Sequence, residues 1–267
     1  HFQDKEAYGR VVHLNPMRWV DGWPVIGIDK DGDGCGEPVA KYAKPKSSSK
    51  TVMNPVESDE FDSYVLGKQW SWHANYDEEW GMTTPDGYMR IFNYARAEGE
   101  EHSLWTVPNL LLQKTPADAF TATAKVRVAS KAEGQFAGLL MMGLDYGGLV
   151  VRKVGDGFEL QQLYCKDADR GGKESFTTLE ELRPTAKDQV IYKPAVYEDI
   201  FLRMQVKAGG KVSFYYSLDG KKFQRCGSEF KMREGKWIGA KMGFVSIEPD
   251  MKTDRGWIDV DWFRVTR

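Results

Sequence analysis

Three carboxylates alternate in Asp29-Lys30-Asp31-Gly32-Asp33-Gly34, the opening of a calcium-loop pattern. Alternate acidic side chains can converge on a hard cation, and the glycine that follows permits the sharp turn such a loop needs. The position where that pattern carries a bidentate glutamate is Ala40, so Glu37 would have to substitute. Asp29, Asp31 and Asp33 are therefore candidate ligands for a structural calcium, weighed against a tight acidic turn between two strands. Glu60 and Asp62 could meet Asp259 or Asp261 at a second cation site, provided the first and last strands of the domain lie side by side. Other acids stand in runs, Asp77-Glu78-Glu79 and Glu180-Glu181, that read as solvated loops rather than acid/base pairs. The aromatic residues are the other group with chemistry to offer. Nine tryptophans and 13% aromatic side chains suit stacking on sugar rings, and they equally suit the core of a β-sandwich. Trp70 and Trp72 share one face of a strand and are expected in the core, while Trp80, Tyr88 and Trp105 stay open to either use.

The elements that must hold these residues read as strands throughout. In residues 1–45, Arg10-Val11-Val12-His13-Leu14 is a strand ended by Pro16, and two short strands flank a turn at Asp21-Gly22-Trp23-Pro24. So few apolar residues cannot bury both faces of a sheet, so this stretch is expected to need a neighbour outside the sequence. The chain opens at His1-Phe2-Gln3-Asp4 with no initiator methionine, signal peptide or tag, which fits an expectation that more protein precedes it. Residues 46–56 follow as a Pro/Lys/Ser linker. Strand signals then recur at roughly 10- to 15-residue spacing over 57–267, as in a β-sandwich. Thr121-Ala122-Thr123-Ala124-Lys125-Val126-Arg127-Val128 alternates as a half-buried strand does. Asp219-Gly220 after Val212-Ser213-Phe214-Tyr215-Tyr216 predicts a hairpin. Residues 176–182 are read as a short turn of helix. The fold class is all-β.

Composition excludes several function classes. A net charge of −2 with no concentrated basic face argues against a nucleic-acid partner. No apolar run reaches the 18 residues that would span a bilayer as a helix. Cys35, Cys165 and Cys226 are too few and scattered for a zinc site or a disulfide framework; one pair could bridge, but an odd count points to free thiols. The compartment stays open.

Taken in order, several strings resemble a known family. His1-Phe2-Gln3-Asp4, Tyr8-Gly9-Arg10, His13-Leu14 and Trp19-Val20-Asp21-Gly22-Trp23-Pro24 resemble the last propeller blade of glycoside hydrolase family 43. Phe61-Asp62, Gly87-Tyr88-Met89-Arg90, Leu111-Leu112-Gln113, Tyr215-Tyr216-Ser217-Leu218-Asp219-Gly220, Gly239-Ala240-Lys241-Met242-Gly243 and Asp259-Val260-Asp261-Trp262-Phe263-Arg264 resemble the C-terminal sandwich of its β-xylosidases. The resemblance implies a blade remnant of a five-bladed propeller over 1–45 and a concanavalin-like jelly-roll sandwich over 57–267.

It also implies inverting hydrolysis of xylo- or arabino-configured glycosides, with no required cofactor and with the rest of the propeller as partner. Inversion needs an acid and a base separated by room for a water. In the resembled family these lie on earlier blades, so no catalytic residue is assigned here. The resemblance brings His1 near the propeller axis and the substrate. It also makes Phe176, in the segment after the strand ending at Cys165, a candidate aromatic wall of the pocket. Two readings of the sandwich compete with this supporting role: an independent xylan-binding module and a purely structural domain.

Overall fold

In a computed structural model, which describes residues 2–46, 48–51, 53–96, 103–183, 195–249 and 255–267, nearly every regular element is a strand. Four short strands come first: β1 (Phe2–Asp4), β2 (Arg10–Val12), β3 (Met17–Val20) and β4 (Trp23–Ile26). Then follow β5 (Ser71–Trp72), β6 (Gly81–Thr83), β7 (Met89–Phe92), β8 (Tyr94–Ala95), β9 (Leu111–Lys114), β10 (Phe120–Ser130) and β11 (Phe136–Met142). The remainder are β12 (Tyr146–Val154), β13 (Gly157–Cys165), β14 (Glu174–Leu182), β15 (Ala195–Lys207), β16 (Lys211–Ser217), β17 (Gln224–Lys231), β18 (Lys241–Glu248) and β19 (Trp257–Thr266).

Two sheets face each other. One has the order β17-β16-β15-β10-β19-β7-β6, and the other β14-β13-β12-β11-β18-β9-β5, with β8 added parallel to β18. The alternation read in residues 121–128 is realised: Ala122, Ala124, Val126 and Val128 point into the space between the sheets. Strand β11 does not alternate, because both of its faces are covered. Ala137, Leu139 and Met141 join the core between the sheets, while Phe136, Leu140 and Met142 join a second apolar cluster on the opposite face. Leu104, Val107 and Leu110 from the segment before β9 cap that second cluster.

Residues 176–182 form part of strand β14 rather than a turn of helix. Phe176, Leu179 and Leu182 are spaced three apart, which imitates a helical face. The strand achieves the same spacing through a bulge: Gln161 pairs with Thr178 and Leu160 with Glu180, leaving Leu179 over. Phe176 consequently packs on the outer cluster, whereas Leu179 and Leu182 reach the inner core.

The first four strands belong to neither sheet. β1 pairs with β2 and β3 pairs with β4, each pair as an isolated antiparallel ribbon. Asp21 and Gly22 both adopt positive φ, 49° and 82°, the signature of the type I′ turn that matches the twist of a two-residue hairpin. Of the eight residues in β3 and β4 only Val25 is buried. Residues 5–9 form one 3-10 turn that is fastened to the sandwich. The Ala240 amide donates to the Ala7 carbonyl at 2.7 Å, and Ala7 itself enters the inner core. The Tyr8 hydroxyl donates to the Asp118 carbonyl at 2.9 Å and accepts the Gly210 amide at 3.0 Å. Gly9 and Gly239 touch so closely that a Cβ on Gly239 would lie 2.6 Å from the Gly9 nitrogen. Only glycine permits this approach.

Candidate functional site

The turn at residues 5–9 brings the N-terminal ribbons against the loop that precedes β18, and the side chains gathered there form the best-built surface feature of the chain. Trp237 stands on that loop with φ of 68° and 72% of its surface exposed. A bulky residue in left-handed backbone is strained, and such strain is held where surrounding contacts over-determine it. The Arg10 guanidinium lies 5.4 Å from the Trp237 ring and 4.8 Å from the Phe2 ring, so the cation bridges an aromatic from each region. Asp4, Glu6 and Glu234 line the small depression beside this pair. The two halves thus meet across a mixed aromatic and charged seam, the chemistry that contacts a sugar's apolar face and its hydroxyls.

Beyond the seam, the ribbons present apolar side chains to solvent. Val12, Leu14, Met17, Trp19, Trp23 and Ile26 are all exposed, Trp19 at 67% and Trp23 at 76%. In the β3–β4 register Met17, Trp19 and Ile26 share one face and Trp23 lies on the other, so both faces of that ribbon carry exposed apolar side chains of the kind that mark contact surfaces.

The other sequence-derived candidates fall elsewhere. His1 lies outside the described residues. Phe176 is on strand β14, not in a free loop, and its ring packs edge-on against Phe136 at 5.3 Å beneath the Arg152 guanidinium at 4.7 Å. It fills the outer apolar cluster of its own domain. Trp237 is the exposed aromatic beside the ribbons, and its signal in the sequence was the Gly235-Lys236-Trp237-Ile238-Gly239 setting: a large ring between glycines has no core strand to enter.

Asp29, Asp31 and Asp33 do converge, with oxygens within 4.8 Å of one another. Their oxygens also accept amides of the loop itself. Asp29 accepts the amides of Gly32 at 2.7 Å and Gly34 at 3.2 Å, Asp31 accepts that of Asp33, and Asp33 accepts that of Cys35. Arg18 adds its cation 3.6 Å from Asp29. Hydrogen bonds of this kind build an acidic turn, and each carboxylate keeps acceptor capacity beyond the amides it holds. The second acidic group is paired off in the same way. Glu60 holds Arg264 through two 2.8 Å bonds, Asp259 holds Arg90 at 2.6 and 2.8 Å, and Asp261 holds Lys125 at 2.8 Å. The side-by-side placement is nevertheless present, since Asp59 bridges Phe263. Bonding to Arg264 pulls the Glu60 carboxyl below its ordinary range, consistent with a settled ion pair.

Trp70 is a core residue as expected: its ring meets Phe61, Phe244 and Phe263, and its indole N–H donates to Asp59 at 2.9 Å. Trp72 only partly joins the core. It stacks on Tyr76 and meets Trp80 edge-on at the rim of a groove of about 520 Å³ that also exposes Tyr64 and Met82. All three cysteines are free.

A fold of two facing sheets with ribbons fastened at one end defines the class, and comparison with known proteins supplies the family. Residues 58–266 match the family model described as the β-xylosidase C-terminal concanavalin A-like domain. The chain belongs to that family, the C-terminal sandwich of glycoside hydrolase family 43. A β-xylosidase of Formosa agariphila is 32% identical over 96% of the chain, and a putative β-xylosidase of Xylanibacter ruminicola is 32% identical over 92%. The chain spans about two fifths of the length of these relatives, 42% and 41%. A xylan β-1,4-xylosidase from Bacillus halodurans has the same fold, with a TM-score of 0.68 at 19% identity, over 97% of this chain and 47% of that one.

Proposed function

We propose that this chain serves as the C-terminal part of a glycosidase that hydrolyses xylo- or arabino-configured glycosides with inversion. In this reading residues 1–45 close the last blade of a propeller, the remaining blades carry the catalytic acid and base, and the sandwich supports the propeller and walls its pocket. The observation that carries the reading is the set of exposed apolar side chains on β2, β3 and β4 beside a turn bolted to the sandwich. Such surface gains about 25 cal/mol for each Å² that another blade removes from water. Relatives named as β-xylosidases and as a non-reducing end α-L-arabinofuranosidase support the substrate class. In this reading Trp237, exposed beside the ribbons, joins Phe176 as a candidate aromatic wall; His1 enters by family resemblance alone.

The purified chain is expected to show no turnover of aryl β-xylosides or α-arabinofuranosides. Adding a polypeptide that carries the upstream blades should restore it, and Trp237→Ala in that complex should raise KM. Turnover by the chain alone, abolished by a point substitution within it, would defeat the reading.

The groove formed by Tyr64, Trp72, Tyr76 and Met82 favours a second reading, in which the sandwich holds glycan by itself. Retention of the chain on insoluble xylan, lost on Tyr76→Ala, would support it; passage straight through would count against it.

A further inference from the structure

The Trp237 backbone sits at a φ of 68° and its ring is 72% exposed, so the residue neither relaxes nor enters a core. Among the described residues, the ring's one aromatic or cation contact is the Arg10 guanidinium at 5.4 Å. A single exposed cation–π contact is too weak to hold strained backbone in place. The strain persists because the chain is gripped on either side of it.

Downstream, the Ala240 amide donates to the Ala7 carbonyl at 2.7 Å and Gly239 lies against Gly9. Upstream, the grip centres on Arg233. Its Nη1 donates to Asp145 Oδ1 and to Asp167 Oδ1, each at 2.8 Å, so one nitrogen joins two carboxylates. Asp145 is buried, and the same oxygen accepts the Asp167 amide at 2.8 Å. Backbone bonds reinforce the junction: the Leu144 amide donates to the Glu234 carbonyl at 2.7 Å, and the Ala168 amide to the Leu144 carbonyl at 2.8 Å. A Cβ on Gly143 would lie 2.2 Å from the Arg233 carbonyl oxygen, so only glycine lets the turn between β11 and β12 come this close. That turn is a block to which the loop after β13 and the loop before β18 are both fixed. Residues 235–238 are all that remain between the upstream and downstream grips. The arginine bonds are charge-assisted, about twice as strong as the neutral amide bonds beside them.

We propose that Arg233 is a positioning residue for the seam. By joining Asp145 to Asp167 it fixes where residues 235–238 begin, and so where the Trp237 ring stands against Arg10. The same clamp ties that strap to the loop after Cys165, so the two loops keep one relative position. That the ring then bears on a saccharide rests on the reading proposed above; its place on the chain does not.

NMR of the isolated chain tests this position. The Trp237 indole N–H resonance, identified by its loss in Trp237→Phe, reports the ring, and the Arg10 side-chain resonances report its partner. Arg233→Met should move both toward their values in an unstructured peptide. Arg90→Met breaks a different arginine–aspartate pair, the one joining β7 to β19, and should leave both where they are. Where Arg233→Met fails to fold, Asp167→Asn weakens one of the two bonds at a half-exposed carboxylate and should move the same signals partway. With the upstream blades added, Arg233→Met should raise KM by no more than Trp237→Ala does, about three- to tenfold for one ring contact. The double variant should match Trp237→Ala alone, because both changes remove the same contact. Unmoved Trp237 and Arg10 signals, signals moved equally by Arg90→Met, or additive effects on KM would overturn the proposal. An assembled complex without turnover would overturn the glycosidase reading instead, and the NMR signals would still decide for or against Arg233.

Discussion

Tryptophans sit both in the N-terminal ribbons and in the sandwich, and the two regions treat them in opposite ways. Trp70 is packed by Phe61, Phe244 and Phe263 and spends its indole N–H on Asp59. Trp19 and Trp23 flank a well-formed I′ turn and stand mostly in solvent. Local chemistry is sound in both places, because the hairpin has the right turn and the right pairing register. What differs is the second layer. A sheet needs something apolar against its face, and the sandwich supplies two such layers while the four ribbon strands bury only Val25. A strand can therefore be correct in its backbone and unfinished in its packing.

The largest effects that would sharpen this contrast lie in the sandwich. Phe263→Ala removes a fully buried ring that touches Trp70 and Phe244 and should cost about 3–5 kcal/mol in denaturant unfolding. Arg96→Met should cost a similar ~3–5 kcal/mol, because it strands the Glu174 carboxylate that Arg96 grips through two 2.8 Å bonds. Adding Glu174→Gln should return much of that loss, which a purely steric account would not predict. Tyr8→Phe is intermediate. It deletes the hydroxyl that joins Asp118 to Gly210, should cost about 1–2 kcal/mol, and should make the ribbons more sensitive to limited proteolysis.

A pH-dependent loss follows from two weak acids of the sandwich, the buried Tyr216 and the partly buried Cys226. Burial, with help from the Glu180 carboxylate, raises the Tyr216 phenol from 10.0 to about 12, and burial raises the Cys226 thiol from 9.0 to about 12. Below pH 9 both states keep these protons and the contribution is complete. As pH climbs from 9 to 12 the unfolded chain ionises first, so stability falls with each step. Urea midpoints at pH 8, 10 and 11 should decline, and Tyr216→Phe with Cys226→Ser should flatten the decline. The smallest effect belongs to the ribbons: Trp19→Ala and Trp23→Ala should each change the chain's own stability by less than about 0.5 kcal/mol, as exposed residues do. A loss of several kcal/mol from either would erase the distinction between the two regions.

Much of the fold was legible in the sequence because burial on one face writes a period of two. Residues 121–128 and the Asp219-Gly220 turn show this, with Gly220 at a φ of 70°. The pattern misled where that rule breaks. Strand β14 carries a bulge, so its apolar spacing of three imitates a helix, and Phe176 lies on a strand instead of opening a helical turn. The edge strands β6 and β8 are too short to write a period at all. For the candidate site, the acidic turn announced its residues but not their partners, since the amides of Gly32 and Gly34 that occupy Asp29 are invisible in a string of letters. Trp237 and Arg10 lie far apart in the chain and meet only because Gly9 and Gly239 let two backbones touch.

The most direct measurement is hydrogen exchange across residues 10–28, with and without a polypeptide supplying the upstream blades of a family 43 propeller. Slowed exchange in β2, β3 and β4 together with the onset of glycoside turnover is the outcome expected of a face built to be covered. Exchange that is already slow in the isolated chain and unchanged by the added blades would contradict it.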